Sequence, residues 1–180
     1  AIGSSRPAVH GVPFVEFLAP GLIMMAIIQN AFANTASSML GAKIQGNIVD
    51  LLMPPLSSGE VATAFIMGGV TRGIAVGVAN LAALSPFVAM HIAHPWAVAY
   101  FAVIASVSLS VTGTLTGIWS EKFDHMASVT NFIILPLSFL SGSFYSVTLL
   151  PQAFQIINHF NPFFYLIDGM RYGFIGAADS

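Results

Sequence analysis

GIAVGVANLAALSPFVAMHIAHPWAVAYFAVIASVSLSVTGTLTGIWS, residues 73–120, lies between Arg72 and Glu121 and contains no Asp, Glu, Lys or Arg. The intervals Phe17–Ala42 and His125–Ile167 are equally free of these four residue types. A water-soluble domain of this size needs a charged exterior, yet 7% of the residues are charged against 56% hydrophobic. The mean hydropathy of +0.84 points the same way. Each interval holds at least one helix of the roughly 20 residues that cross a bilayer core. Lipid offers no partner for backbone N–H and C=O groups, so the spans must be helices that satisfy their own hydrogen bonds. The expected fold is an all-α, polytopic integral membrane bundle of about four full spans, a single domain over residues 1–180.

The formal net charge of −2 gives no basic footprint, so nucleic acid is not an expected partner. The chain has no cysteine, which removes disulfides, thiolate metal sites and cysteine nucleophiles together. Ala1–Pro13 (AIGSSRPAVHGVP) lacks an initiator Met, a basic n-region and a small-residue cleavage site, and does not read as a signal peptide. Both ends fall in loops, and the chain is expected to be a fragment lacking segments at each end.

The first span is read over Phe14–Ser38, with Pro20-Gly21 as a kink point. Its later half places Asn30, Asn34 and Ser37 or Ser38 on one helical face. Such a face either hydrogen-bonds within the bundle, at about 0.6 kcal/mol per contact, or lines a solute path. Lys43–Pro55 (KIQGNIVDLLMPP) is too short to span. On a helix, Ile44, Ile48, Leu51 and Leu52 share one face, and Lys43, Asn47 and Asp50 the other, before Pro54-Pro55 ends it. It reads either as a helix lying in the interface or as one presented to a soluble partner.

The second span is read over Ser57–Leu84, with Ser57 or Ser58 as N-cap and Glu60 in the first turn. Gly69, Gly73 and Gly77 recur every four residues and make a groove for close helix packing. Arg72 falls deep in this span, where a charge costs at least about 2.5–3.5 kcal/mol unless paired or wetted. Antiparallel packing suggests Glu16 as its partner, with snorkelling to headgroups as the alternative. His91 and His94 have i, i+3 spacing but no third ligand nearby, so no metal site is expected. The third span, Trp96–Trp119, opens and closes on tryptophans and carries Gly113 and Gly117 as a second close-contact pair. Glu121–His125 reads as a charged loop. The fourth span, Ser128–Tyr145, contains a central Pro136 that should kink it. Leu149–Phe160 and Phe163–Ile175, separated by Asn161-Pro162, are too short to span and read as a re-entrant or interfacial helical hairpin.

There is no HExxH, GxSxG, CxxC or GxxxxGK[ST] motif and no pair of carboxylates within a span. No catalytic site and no P-loop are expected in this chain, so any motor for active transport must be another polypeptide or a coupling ion.

The run FLAPGLIMMAIIQNAFANTASSMLGAKIQGNIVDLLMPPLS (Phe17–Ser57) resembles the second span and coupling helix of type-2 ATP-binding-cassette permeases. The run LPLSFLSGSFYSVTLLPQAFQIINHFNPFFYLIDGMRYGF (Leu135–Phe174) is similar to the fifth span and extracellular hairpin of that family. The likeness covers essentially all of the chain and is nearest to the bacterial exporter branch that contains nodulation-factor and polysaccharide permeases. It implies a six-span permease of the bacterial inner membrane, of which the first and sixth spans lie outside this sequence. It further implies that Lys43–Met53 is a cytoplasmic coupling helix in a groove of an ATPase subunit, with Glu121, Lys122 and Asp124 as a second cytoplasmic contact. Two permease copies and two ATPases would form the transporter, with ATP and Mg on the ATPase and no cofactor in this chain. The path would be lined partly by Asn30, Asn34, Ser37 and Ser38 and capped by Phe144 and Tyr145. Orientation rests on the resemblance, because Lys43 and Lys122 on one side balance Arg6 and Arg171 on the other. Two alternatives stand beside it: a membrane enzyme acting on lipids, with His91 and His94 as its cluster, and a scaffold without a path.

Overall fold

A computed structural model of the chain describes residues 13–88, 92–143, 158 and 160–176. Every regular element among them is helical. α1 spans Phe14–Ile44, α2 Ile48–Leu52, α3 Ser58–Leu84, α4 Pro95–Trp119 and α5 Phe123–Val129. A π-helical stretch, Thr130–Ile134, joins α5 to α6 (Leu135–Leu140), and α7 spans Pro162–Ile175. Among the described residues four helical segments are long and apolar enough to cross a membrane: α1, α3, α4 and the composite Phe123–Leu140.

α1 passes through Pro20 and runs beyond the expected end at Ser38, because nothing breaks it before Gly46. That glycine takes φ +79°, a left-handed conformation in which a Cβ is strained. The segment expected as one helix over Lys43–Pro55 is therefore divided. Lys43 and Ile44 close α1, Gln45–Asn47 turn, and only Ile48–Leu52 form α2.

α3 begins with a reciprocal cap. Ser57 donates from its backbone N (2.7 Å) and Oγ (2.8 Å) to Glu60 Oε2, and Glu60 N donates to Ser57 Oγ at 3.3 Å. The carboxylate thereby satisfies the Ser57 N–H, while Glu60 N–H is shared between Ser57 Oγ and Ser57 O, the latter at 3.0 Å. Ser57→Ala is expected to cost about 0.5–2 kcal/mol locally and to accelerate amide exchange in the first turn of α3, while exchange in α4 stays unchanged.

The fourth span starts earlier than its expected boundary at Ser128. Lys122 is extended (φ −136°, ψ 155°), so Phe123–His125 belong to α5 rather than to a loop. Just before Pro136, where a kink is expected, the helix takes a π stretch in which Leu135 N–H reaches back five residues to Thr130 O. Pro136 has no N–H to give and its ring crowds the carbonyl four residues earlier. A widened turn just before it relieves that conflict.

Asn161 joins α6 to α7. Its Nδ2 donates to Leu137 O (2.9 Å) and Ser141 Oγ (3.0 Å), while its Oδ1 accepts from Phe163 N (3.0 Å). One amide thus caps α7 and adds a further donor to Leu137 O, which also accepts from Ser141 N at 3.1 Å. Pro162 stands at the first helical position, where a missing N–H costs nothing. α7 ends at Gly176, φ +76°. At 14 residues it is about 21 Å long, too short to span. The preceding helix expected over Leu149–Phe160 lies almost wholly outside the described residues.

The chain divides into two compact units. One comprises Ile27–Val76 and Val103–Leu135; the other comprises Ala1–Ala26, Gly77–Ala102 and Pro136–Ser180. In the second unit α7 buries Phe164, Ile167, Met170 and Arg171. The Arg171 guanidinium lies 3.9 Å from the centre of the Phe17 ring and donates to Gly142 O. A cation over an aromatic face, with a backbone acceptor, makes this burial tolerable. Gly169 and Gly173 face Phe101 and Val98 of α4 so closely that a side chain would collide with them. His94 stacks on Tyr172 with ring centres 4.8 Å apart, and the His94 backbone N–H donates to Gly173 O. His91 lies outside the described residues.

Candidate functional site

The unit formed by Ile27–Val76 and Val103–Leu135 holds most of the residues singled out from the sequence. Its frame is the crossing of α1 with α3 and α4, made close by glycine. A Cβ on Gly69 would meet Ser110 Oγ and lie 2.5 Å from Thr35 Cγ2, and one on Gly73 would be 2.9 Å from Ser106 Oγ. On α4 a Cβ at Gly113 would strike Thr35 Oγ1 and lie 2.5 Å from Phe32 O, and one at Gly117 would be 2.7 Å from Met39 Cβ. Thr35 turns its hydroxyl back to Ala31 O and Phe32 O, both at 3.1 Å, which satisfies its own donor, whereas Ser106 Oγ and Ser110 Oγ in the same contact are buried with no hydrogen-bond partner among the described residues. Gly77 is buried and belongs to the other unit.

On this frame α1 carries the amide and hydroxyl face. Asn30, Asn34 and Ser37 are partly buried and Ser38 is exposed. Two grooves open beside them. One, of about 350 Å³, is lined by Ser37, Ser38, Gly41, Ala42, Gln45 and Asn47. The other, of about 250 Å³, lies between α1 and the π stretch and is lined by Gln29, Asn30, Thr130 and Ile134, among others. Gln29 Nε2 is buried there with no hydrogen-bond acceptor among the described residues. Sequence reasoning missed Gln29, because a single amide carries no periodic signal. Phe144 and Tyr145 lie outside the described residues.

Arg72 is exposed on α3 and its Nη1 donates to Asn34 Oδ1 at 3.4 Å. Its described partner is the amide of Asn34; Glu16, the partner expected from the sequence, belongs to the other unit.

Lys43 occupies a different place from the one its sequence neighbours suggest. Its Nζ donates to Ile118 O (2.6 Å), Ser120 O (2.7 Å) and Gly117 O (3.4 Å). These carbonyls end α4, where acceptors lack intrahelical donors and the helix dipole is negative. Lys43 therefore ties the end of α1 to the end of α4, one residue before α1 stops. Beyond it, α2 leaves Asp50 exposed, with Val49 60% and Met53 77% exposed. Ile48 is half-buried and Asn47 donates to Gln45 Oε1 at 3.2 Å; the side chains of Leu51 and Leu52 lie outside what the structure describes. Glu121, Lys122 and Asp124 are all exposed at the start of α5.

Helices long and apolar enough to cross a membrane, with close glycine contacts among them, define a helical integral membrane protein. The chain belongs to the ABC-2 type transporter family, which it matches over residues 4–175. It is the permease of such a transporter rather than its ATPase, and an inner membrane protein. Over 179 residues it is 43% identical to the inner membrane transport permease YadH of Escherichia coli K12, covering 99% of this chain and 70% of that protein. Over 175 residues it is 27% identical to Nodulation protein J of Rhizobium leguminosarum bv. viciae, covering 93% of this chain and 65% of that protein. No solved structure matches the chain. The family resemblance carried by Phe17–Ser57 and Leu135–Phe174 is confirmed.

Proposed function

We propose that the α1–α2 junction is where this permease receives force from a separate ATPase subunit, and that the polar face of α1 lines the path of the exported molecule. The observation that carries the first part is the exposure of α2. The break at Gly46 sets a short helix beyond the end of α1, with apolar Val49 and Met53 and acidic Asp50 all exposed. Apolar groups beside a charge on a short, solvent-reaching helix suit a groove on a soluble partner better than they suit water. In this reading Ile44, Asn47, Ile48, Asp50, Leu51 and Leu52 form the contact and Lys43 anchors it. Glu121, Lys122 and Asp124 supply a second contact, and ATP and Mg stay on the ATPase. A second permease copy completes the path, and the segment containing α7 belongs to an extracellular re-entrant hairpin. ATP-driven closure of the ATPases then biases the permease between two states that differ in their contacts with the transported molecule.

The test uses the full-length permease coexpressed with its ATPase. An Ile48→Asp, Asp50→Lys double variant is expected to lower copurification and ATPase activity by at least about tenfold, the size of a lost interface hot spot. Unchanged association, with the variant still folded in the membrane, would remove the coupling role of α2.

A further inference from the structure

Arg72 poses a problem of depth. α3 is 27 residues, about 40 Å, and Arg72 stands about 21 Å from its start and about 18 Å from its end. The hydrocarbon core is about 30 Å thick, so both headgroup layers lie farther from this residue than an extended arginine reaches. Snorkelling does not relieve it. The charge is not buried among protein groups either, since the side chain is exposed on α3. Among the described residues its guanidinium meets the Asn34 amide oxygen at 3.4 Å and no carboxylate. Asn34 orients the guanidinium without neutralising it, and the remaining N–H donors stay available.

The surroundings continue this polarity towards one end of the unit. From Asn34, the α1 face runs through Ser37 and Ser38 into the groove shared with Gly41, Gln45 and Asn47, which opens at the end of α1 that leads to α2. Amides and hydroxyls thus run along one face of α1 and meet a fixed positive charge at mid-height.

We propose that Arg72, oriented by Asn34, is an anion-recognition point on the translocation path, and that the transported molecule carries a phosphate or carboxylate group. The inference rests on the path reading of α1 given above. A planar guanidinium presents paired N–H donors to two oxygens of such a group. The occupant's negative charge also supplies the neutralisation that the described protein groups do not.

The experiment uses the full-length permease with its ATPase in nanodiscs of zwitterionic lipid, with decyl phosphate and the uncharged decyl glucoside as probes. Decyl phosphate is expected to bind at least about 10-fold more tightly than decyl glucoside. Arg72→Gln is expected to abolish that difference, and Arg72→Lys to keep part of it. Removing a mid-membrane charge should ease insertion, and elution as a monodisperse complex checks each variant. Competition by phosphatidylglycerol placed in the nanodisc assigns the site to lipid headgroups. Competition by inorganic phosphate alone assigns it to a soluble anion, and both outcomes support the site. Equal binding of the two probes, no binding of decyl phosphate, or the same preference in Arg72→Gln overturns it. A Ser38→Cys variant separates this result from the reading beneath it. Labelling of that cysteine by a membrane-impermeant maleimide keeps the α1 face as an aqueous path even if Arg72 proves inert; absence of labelling removes the path itself.

Discussion

Gly113→Val is expected to leave little folded permease in the membrane. A Cβ at this position collides with Thr35 Oγ1 and sits 2.5 Å from Phe32 O. Neither neighbour can give way easily: one is backbone, and the Thr35 hydroxyl is held by Ala31 O and Phe32 O at 3.1 Å. The helices must separate, and contacts of Gly69, Gly73 and Gly117 with neighbouring helices in the same unit loosen with them. Overpacking costs about 1–3 kcal/mol when side chains can adjust, and a backbone obstacle places this site at or above the top of that range. The internal control is Gly59→Ala. Its Cβ would meet only Ser57 Oγ, at 4.0 Å, and replacing glycine by alanine in a helix is worth up to about 1 kcal/mol. Detergent-solubilised yield and thermal aggregation should show Gly113→Val far below wild type and Gly59→Ala at or above it. Equal behaviour of the two would mean that α1 and α4 do not pack through this glycine.

Lys43→Glu is expected to free the end of α4. The lysine gives charge-assisted bonds to three terminal carbonyls, each of a kind worth about 1.5–3 kcal/mol. A carboxylate in its place donates nothing and adds a negative charge to the negative end of the helix dipole. Amide exchange over Gly117–Ser120 should accelerate by about 10- to 100-fold, since local opening follows the lost stabilisation. Lys43→Arg should keep most of the protection. The same variant also separates two roles for this residue. A lysine that only touched the ATPase would alter copurification and leave exchange at the end of α4 as it was. A lysine that ties α1 to α4 alters exchange in the permease alone.

The identity of the spans was legible because hydropathy is a sum over many residues, and no single misplaced side chain changes it. Gly69, Gly73, Gly113 and Gly117 were also legible, since close packing leaves a four-residue spacing on one helix face. The helix ends were less so. α5 starts at Phe123 because Lys122 is extended, and the turn at Gly46 ends α1 two turns past Ser38. Neither conformation is written in composition. Polar residues within the spans were recognised as unusual, but their partners were not.

The sequence by itself determined that this chain is a helical membrane permease of the ABC-2 type, because charge-free intervals and an ordered motif are properties of the one-dimensional chain. Only the tertiary structure decided that Lys43 caps α4 across 74 to 77 positions of sequence, that Arg72 meets Asn34, and that Asn161 binds both α6 and α7. The physical reason is that a hydrogen bond is fixed by distances of about 3 Å. Helix register and crossing set those distances between residues remote in sequence, and neither quantity is encoded in the residues immediately around a side chain.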